Sequence, residues 1–209
     1  MTSSAGIFAR LCVCLLLAGV ASAWAAAPAP VHVVKIISFD CAVCLSSDSL
    51  DGPIRAAVVK EGGRFVIAPL PRPETDTRER FYYVLRDLSP EMEFKTREAL
   101  FRGSQELNYP LTDVADTLDW LRQQLGEQGV DWERIVSSVQ APVSRAPIDR
   151  AIRLVANAGA QVTPTYVLVR DGTVLATFDI NSAPNSNLSS LRDAVLVGLR
   201  KARATTSKD

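Results

Sequence analysis

The pair Cys41 and Cys44, a C-x-x-C, follows without a turn on the run Val31 to Phe39 (VHVVKIISF). That run is rich in β-branched residues and reads as a buried strand. From the pair to Lys60 the sequence reads as helix, with Gly52-Pro53 as a kink or break. A C-x-x-C set between strand and helix is the context of dithiol redox chemistry. A helix start presents unpaired N–H groups and the positive end of the helix dipole, and both favour a thiolate over a thiol. Cys41 is therefore the candidate nucleophile. Cys44, nearly one turn later on the same face, is the thiol that resolves a mixed disulfide. Two plainer uses of the pair stay open: a structural disulfide, and half of a zinc site. The first would close a very short loop and stabilise little. The second wants four ligands, and His32, the only histidine, is the one residue that could join the cysteines. Otherwise His32 reads as a surface or edge residue near the start of the first strand.

The N-terminus sets the compartment. Met1 to Arg10 is polar with one positive charge, Leu11 to Ala21 is apolar, and small residues follow at 21–23 and 25–27. This is the order of a secretory signal, assigned to residues 1–27 and expected to be cleaved. The alternative is an uncleaved anchor, but the apolar run is short for a membrane span. Cys12 and Cys14 lie in it as small hydrophobes and leave with it. The mature chain then keeps only Cys41 and Cys44, in an oxidising compartment where a disulfide persists. Lys+Arg and Asp+Glu both total 23, so the balanced charge gives no footprint for nucleic acid or an anionic membrane surface. No Walker-type phosphate loop and no clustered carboxylate motif for a metal is present, and no histidine remains for a Cys–His protease dyad.

With 209 residues, 47% of them hydrophobic, the chain has apolar material for one domain, or one domain with an insertion. Arg64 to Leu70 (RFVIAPL) is a second strand after the turn signal Gly62-Gly63. Strand, helix, strand implies a parallel crossover. The middle, about Glu74 to Gly159, carries helical signals instead. Val114, Leu118, Leu121 and Leu125 recur at helical spacing with Thr112 as N-cap, and Ile148, Ala151, Ile152 and Val155 do the same. The charged run from Glu74 to Arg102 reads as a solvated helix surface, and Trp120 and Trp132 as packing residues. Thr165 to Arg170 and Val174 to Asp179 return to strand, joined by Asp171-Gly172 as a tight hairpin turn. Leu188, Leu191, Val195 and Leu199 share one stripe of a final helix. Pro164, in Val162-Thr163-Pro164-Thr165, cannot donate to a ladder and belongs at the start of its strand.

The stretch Val34 to Cys44 (VKIISFDCAVC), the order of the elements and Thr163-Pro164 together resemble the DsbA family of periplasmic dithiol oxidoreductases. The likeness is specific in residues only around Phe39–Cys44 and Val162–Thr165, and covers the rest of the mature chain as architecture. It implies an α/β, thioredoxin-like fold with a helical domain inserted between the second and third core strands. The corresponding boundaries are thioredoxin-like halves at 28–73 and 160–209, with the insertion at 74–159. It implies a cis Pro164 beside the cysteines, with Thr163 offering backbone hydrogen bonds to an extended client segment. It further implies periplasmic disulfide exchange with exported, cysteine-bearing proteins and a membrane protein as redox partner. The exchange itself needs no dissociable cofactor, no metal is expected from the motifs present, and one domain with no extra module points to a monomer.

Four departures bear on the direction of exchange. Ala42-Val43 stands where the family's oxidases usually carry Pro-His, so a thiolate-stabilising histidine is missing. Asp40, if it points inward, opposes a second negative charge on Cys41. Lys35 stands where the family often has a buried acid; it either favours the thiolate or snorkels to solvent. Thr163 resembles the isomerases and reductases more than the oxidases. Oxidase and reductase both remain open, and so do a non-catalytic peptide-binding module and a thioredoxin-like domain with a permanent disulfide.

Overall fold

The computed structural model describes residues 29–107, 109, 111–127 and 129–204. The segment assigned as a signal, with Cys12 and Cys14, lies outside the described residues. Strands β1 (His32–Ile37), β2 (Phe65–Pro69), β3 (Thr165–Arg170) and β4 (Thr173–Asp179) form one sheet in the order β2-β1-β3-β4. β1 and β2 are parallel, while β3 runs antiparallel to both β1 and β4. A parallel pair needs a crossover. Here it comprises α1 (Ala42–Ser46), a 3₁₀ turn (Ser47–Leu50) and α2 (Asp51–Val59).

The break in this helical segment therefore lies at Ser47–Leu50 and not at Gly52-Pro53. Pro53 occupies the first turn of α2, where its missing N–H has no intrahelical acceptor to disappoint, so it starts a helix rather than breaking one. The hairpin expected at Asp171-Gly172 is present, with φ of 49° and 76° at its two central residues, the left-handed pair that a type I′ turn requires.

Between β2 and β3 lie α3 (Thr77–Arg86), α4 (Pro90–Phe101) with a π turn at Arg102–Glu106, α5 (Val114–Leu125), α6 (Trp132–Gln140) and α7 (Ala146–Ala158). α8 (Leu188–Ala204) follows β4. The architecture is thus the α/β sheet with helices inserted between the second and third strands that the sequence predicts. The cap of α5 is Asp113, not Thr112: the Asp113 carboxylate accepts from the Asp116 N–H at 2.9 Å. The Thr112 carbonyl is instead taken by the hydroxyls of Thr75 and Thr77, at 2.8 and 3.1 Å.

Successive residues of a strand face opposite sides of a sheet. The Thr177 hydroxyl donates to the Ala158 carbonyl at the end of α7, whereas Phe178 lies against Gly198 of α8. The two helices therefore cover opposite faces of β4. A Cβ at position 198 would sit 2.4 Å from the Phe178 ring, so glycine there is what lets α8 seat. Leu191, Val195 and Leu199 of α8 are buried with Val33, Ile37, Ile54 and Leu168 in the main core. Trp120 and Trp132 are buried as packing residues, their indole N–H groups donating to the carbonyls of Ala99 and Gly126.

The run from Glu74 to Arg102 is not simply a solvated surface. Arg78 and Glu79 are fully buried and Arg97 nearly so. Arg78 and Arg97 are taken inside because carboxylates from the sheet half reach them across the junction.

Candidate active site

Cys41 is the N-cap of α1, with extended backbone (φ −94°, ψ 105°), and its sulfur is joined to that of Cys44. The Cys44 N–H points at the Cys41 sulfur, 3.1 Å away. A donor so placed stabilises negative charge on that sulfur when the bridge opens. The two thiols are differently placed: Cys44 is buried in the core, while Cys41 is half-buried. Only Cys41 is open to an incoming thiolate.

Thr163 and Pro164 lie directly before β3, and the bond between them is cis. The Thr163 carbonyl oxygen is 3.3 Å from the Cys41 sulfur, across 122 residues of sequence. The turn before β3 thus brings a backbone carbonyl to the Cys41 sulfur, and Pro164, which has no N–H to give a ladder, stands one residue before the strand. Next to the pair in sequence, Ala42, Val43 and Ser46 border a shallow groove with Ile180, Asn187 and Leu188. Val43 is 43% exposed there.

Lys35 is fully buried, so it does not snorkel. β1 points it at the crossover helix, where its ammonium donates to Asp48 and to Asp51, both at 2.9 Å. Burial lowers its pKa to about 8 against the pull of Asp51, and burial raises that of Asp51. The Tyr166 hydroxyl donates to the other Asp51 oxygen at 3.0 Å. Next to it the Ser47 hydroxyl donates to the Cys44 carbonyl at 2.7 Å. Away from the cysteines, Asp48 is bound by Arg97 of α4. Arg97 also donates to Glu93, which accepts from Tyr82 of α3. A continuous polar chain therefore runs from the active-site helix into the helical block.

Asp40 does not stand alone beside Cys41. Burial pushes its carboxyl up, but hydrogen bonds from Arg72 and Arg78 outweigh this and hold it well below the usual carboxylate range. Arg72 donates through Nε at 2.7 Å and through Nη2, and Arg78 donates through Nη1 and Nη2 at 2.9 and 3.0 Å. Arg78 also donates to Ser104, and Gln105 donates to the Phe39 carbonyl at 2.9 Å. Ser104 and Gln105 both belong to the π turn, whose wider winding presents neighbouring side chains to the active-site turn.

His32 is partly exposed, and its Nδ1 accepts the Arg64 N–H at 3.0 Å. It is not at a sheet edge, because β3 pairs along the second side of β1. It lies at the far end of β1 from the cysteines, roughly 17 Å of strand away, so it cannot complete a zinc site with them. Among the described residues no group of three or more His, Cys, Asp or Glu is placed to hold a metal ion. None of their helices is long and apolar enough to cross a membrane.

Arg72, Arg78, Asp48, Asp51, Gln105 and Tyr166 are the residues of the site that the sequence reading missed. The one available signal was the acid at Asp48 and Asp51, one turn and two turns past Cys44, opposite a lysine in the preceding strand.

No family model matches the chain, and no curated protein sequence matches it. Solved structures do. DsbA of Pseudomonas aeruginosa is 20% identical, with a TM-score of 0.69 over 88% of this chain and 89% of its own. The oxidoreductase NmDsbA1 of Neisseria meningitidis is 13% identical, with a TM-score of 0.67 over 87% and 88%. The disulfide oxidoreductase DsbA of Proteus mirabilis is 20% identical, with a TM-score of 0.60 over 84% and 90%. At such identities the likeness establishes a common fold: the thioredoxin-like sheet with its helical insertion.

Proposed function

We propose that this chain is a periplasmic thiol:disulfide oxidoreductase that exchanges disulfides with exported proteins through Cys41 and Cys44. The observation that carries the reading is the Cys41 sulfur itself. It is accessible, it faces the Cys44 N–H at 3.1 Å, and it lies 3.3 Å from the Thr163 carbonyl beside cis Pro164. A permanent structural bridge needs none of these three features. The sheet halves 28–73 and 160–209 supply the cysteines and the Thr163-Pro164 turn, and the helical segment 74–159 braces them.

In the oxidising direction a client thiolate attacks the Cys41 sulfur. The Cys41–Cys44 bond breaks, and Cys44 leaves as a thiolate that takes up a proton. A second client thiolate then attacks the client sulfur of the mixed disulfide, and Cys41 leaves as a thiolate, stabilised by the Cys44 N–H. Two electrons pass from client to protein, and a membrane redox partner removes them. In the reducing direction the Cys41 thiolate attacks a client disulfide and Cys44 resolves. The client lies extended along Thr163, pairing with its backbone as an added strand. Lys35 and Asp40 tune the pair from below and from in front. The exchange requires no dissociable cofactor.

The deciding measurement is the reduction potential of the pair, equilibrated against glutathione. A value near ~−120 mV assigns an oxidase and one near ~−270 mV a reductase. The absence of Pro-His between the cysteines, together with Thr163, places the expected value below the oxidising extreme. A folded protein whose disulfide does not equilibrate with glutathione overturns the catalytic reading, and so does client binding that survives Cys→Ser changes at 41 and 44 without turnover.

A further inference from the structure

A charge on the residue in front of a nucleophilic cysteine acts from one peptide away. Asp40 by itself would oppose the Cys41 thiolate. Its two guanidinium partners reverse the balance. Arg72 reaches it from the loop after β2, and Arg78 from the first turn of α3. Arg78 has no exposure and is held by Ser104 as well, so it cannot swing away to solvent. The group in front of Cys41 therefore holds two positive charges and one negative.

The other acids nearby do not cancel the surplus. Glu79 lies 3.6 Å from Arg78, but burial pushes its carboxyl up to about 7, so below that pH it is mostly neutral and adds little negative charge. Asp76 is bound by Arg80 and Arg145. Glu74 acts on Arg72 only at a distance, from the exposed loop.

Building on the exchange chemistry proposed above, we propose that Arg72 and Arg78, held by Asp40, are positioning residues that place a net positive charge beside Cys41 and favour its thiolate. Asp40 is the anchor of this device: it fixes two cations at the active-site turn and neutralises only one. Stabilising the thiolate stabilises the reduced protein, which raises the reduction potential. The device supplies part of what Ala42-Val43 cannot, since neither residue carries a charge or a donor in its side chain.

The test follows Cys41 directly, by the ultraviolet absorbance of its thiolate against pH in the reduced, secreted protein, and by its equilibrium with glutathione. Arg72→Gln removes a partly exposed side chain from a loop. It is expected to move the Cys41 titration to higher pH and to lower the equilibrium constant for oxidising glutathione about tenfold, or about 30 mV. Arg72→Lys keeps the charge and is expected to restore most of the shift. Asp40→Asn removes the negative charge nearest Cys41 while Arg78, without exposure and held also by Ser104, stays in place, and it is expected to move the titration to lower pH. Movement of Cys41 in the same direction by Arg72→Gln and Asp40→Asn would show that geometry rather than charge is at work and would overturn the inference. So would titrations unchanged in both. The titration reads the sulfur whether or not the protein exchanges disulfides. A pair that fails to equilibrate with glutathione therefore counts against the proposed function, while the titration still decides this inference.

Discussion

Replacing Lys35 by methionine should expose what the buried ion cluster contributes. Methionine fills a similar volume, so the change removes charge more than packing. Lys35 is wholly buried and bonds two carboxylates at 2.9 Å. Asp48, 25% exposed, keeps Arg97 and some water after the change. Asp51, 8% exposed, keeps only the Tyr166 hydroxyl. The loss therefore falls on one buried carboxylate without a bonded counter-charge, Arg55 acting on it only at a distance, for which a cost of about 3 kcal/mol is expected near neutral pH. The cost shrinks as the pH is lowered, because a stranded Asp51 is readily protonated: burial already raises its pKa with the lysine present. Urea denaturation of the oxidised protein, repeated across pH, measures both effects. The double variant Lys35→Met with Asp51→Asn should recover most of the loss, since no buried charge is then left unpaired. A penalty below about 1 kcal/mol would refute the reasoning, and so would a double variant as unstable as the sum of the two single changes.

Two further changes probe the structure around the site. Burial pushes the Glu79 carboxyl up to about 7 from an ordinary 4.5, so the folded state holds a proton that the unfolded chain releases between those values. Stability is thus lost as pH rises through that window. Glu79→Gln should match the parent at pH ~4 and exceed it by about 3 kcal/mol at pH ~8, as read from urea midpoints; a difference independent of pH would contradict this. At Gly63 an added Cβ would lie 2.1 Å from the Val31 carbonyl oxygen and 2.8 Å from Val58. Gly63→Ala should therefore cost more than about 2 kcal/mol in the same assay, and a neutral result would show that the β1–β2 junction gives way there.

The four strands, the hairpin and the C-x-x-C at a helix start were legible because each rests on a local rule. Runs of β-branched and apolar residues mark the strands, paired left-handed residues mark Asp171-Gly172, and the strand-to-helix context marks Cys41. The meaning of the charges was not legible. Lys35 and Asp40 are single letters whose effect depends on what stands opposite them. For Asp40 the partners are 32 and 38 residues away, at Arg72 and Arg78. A helical charge run reads as solvated by default because buried arginines are rare. Arg78 and Arg97 are exceptions that only the folded junction reveals. The cap of α5 moved by one residue, and the break after Cys44 moved upstream of Gly52-Pro53, for a related reason. Both depend on which of several eligible neighbours the tertiary structure engages.

The same buried arginines explain how the helical block braces the cysteine pair, which lies outside it. Arg78 of α3 and Arg97 of α4 each reach from the inserted block to an acid on the sheet half, Asp40 and Asp48. These two acids flank the cysteine pair, one directly before Cys41 and one four residues after Cys44. An interface of apolar side chains alone tolerates sliding, because dispersion and burial are not directional. The two-pronged bonds of Arg78 to Asp40 are directional, and they accept only one placement of the partners. A second clamp at Asp48 fixes the rotation that a single clamp would leave free. The Gln105 bond to the Phe39 carbonyl then ties the backbone between them. The position of the Cys41 sulfur relative to the helical block is thus set from three sides by polar contacts, while its distance from the Thr163 carbonyl is set by the pairing of β1 with β3. The charges placed at the junction therefore align the two halves of the fold around Cys41.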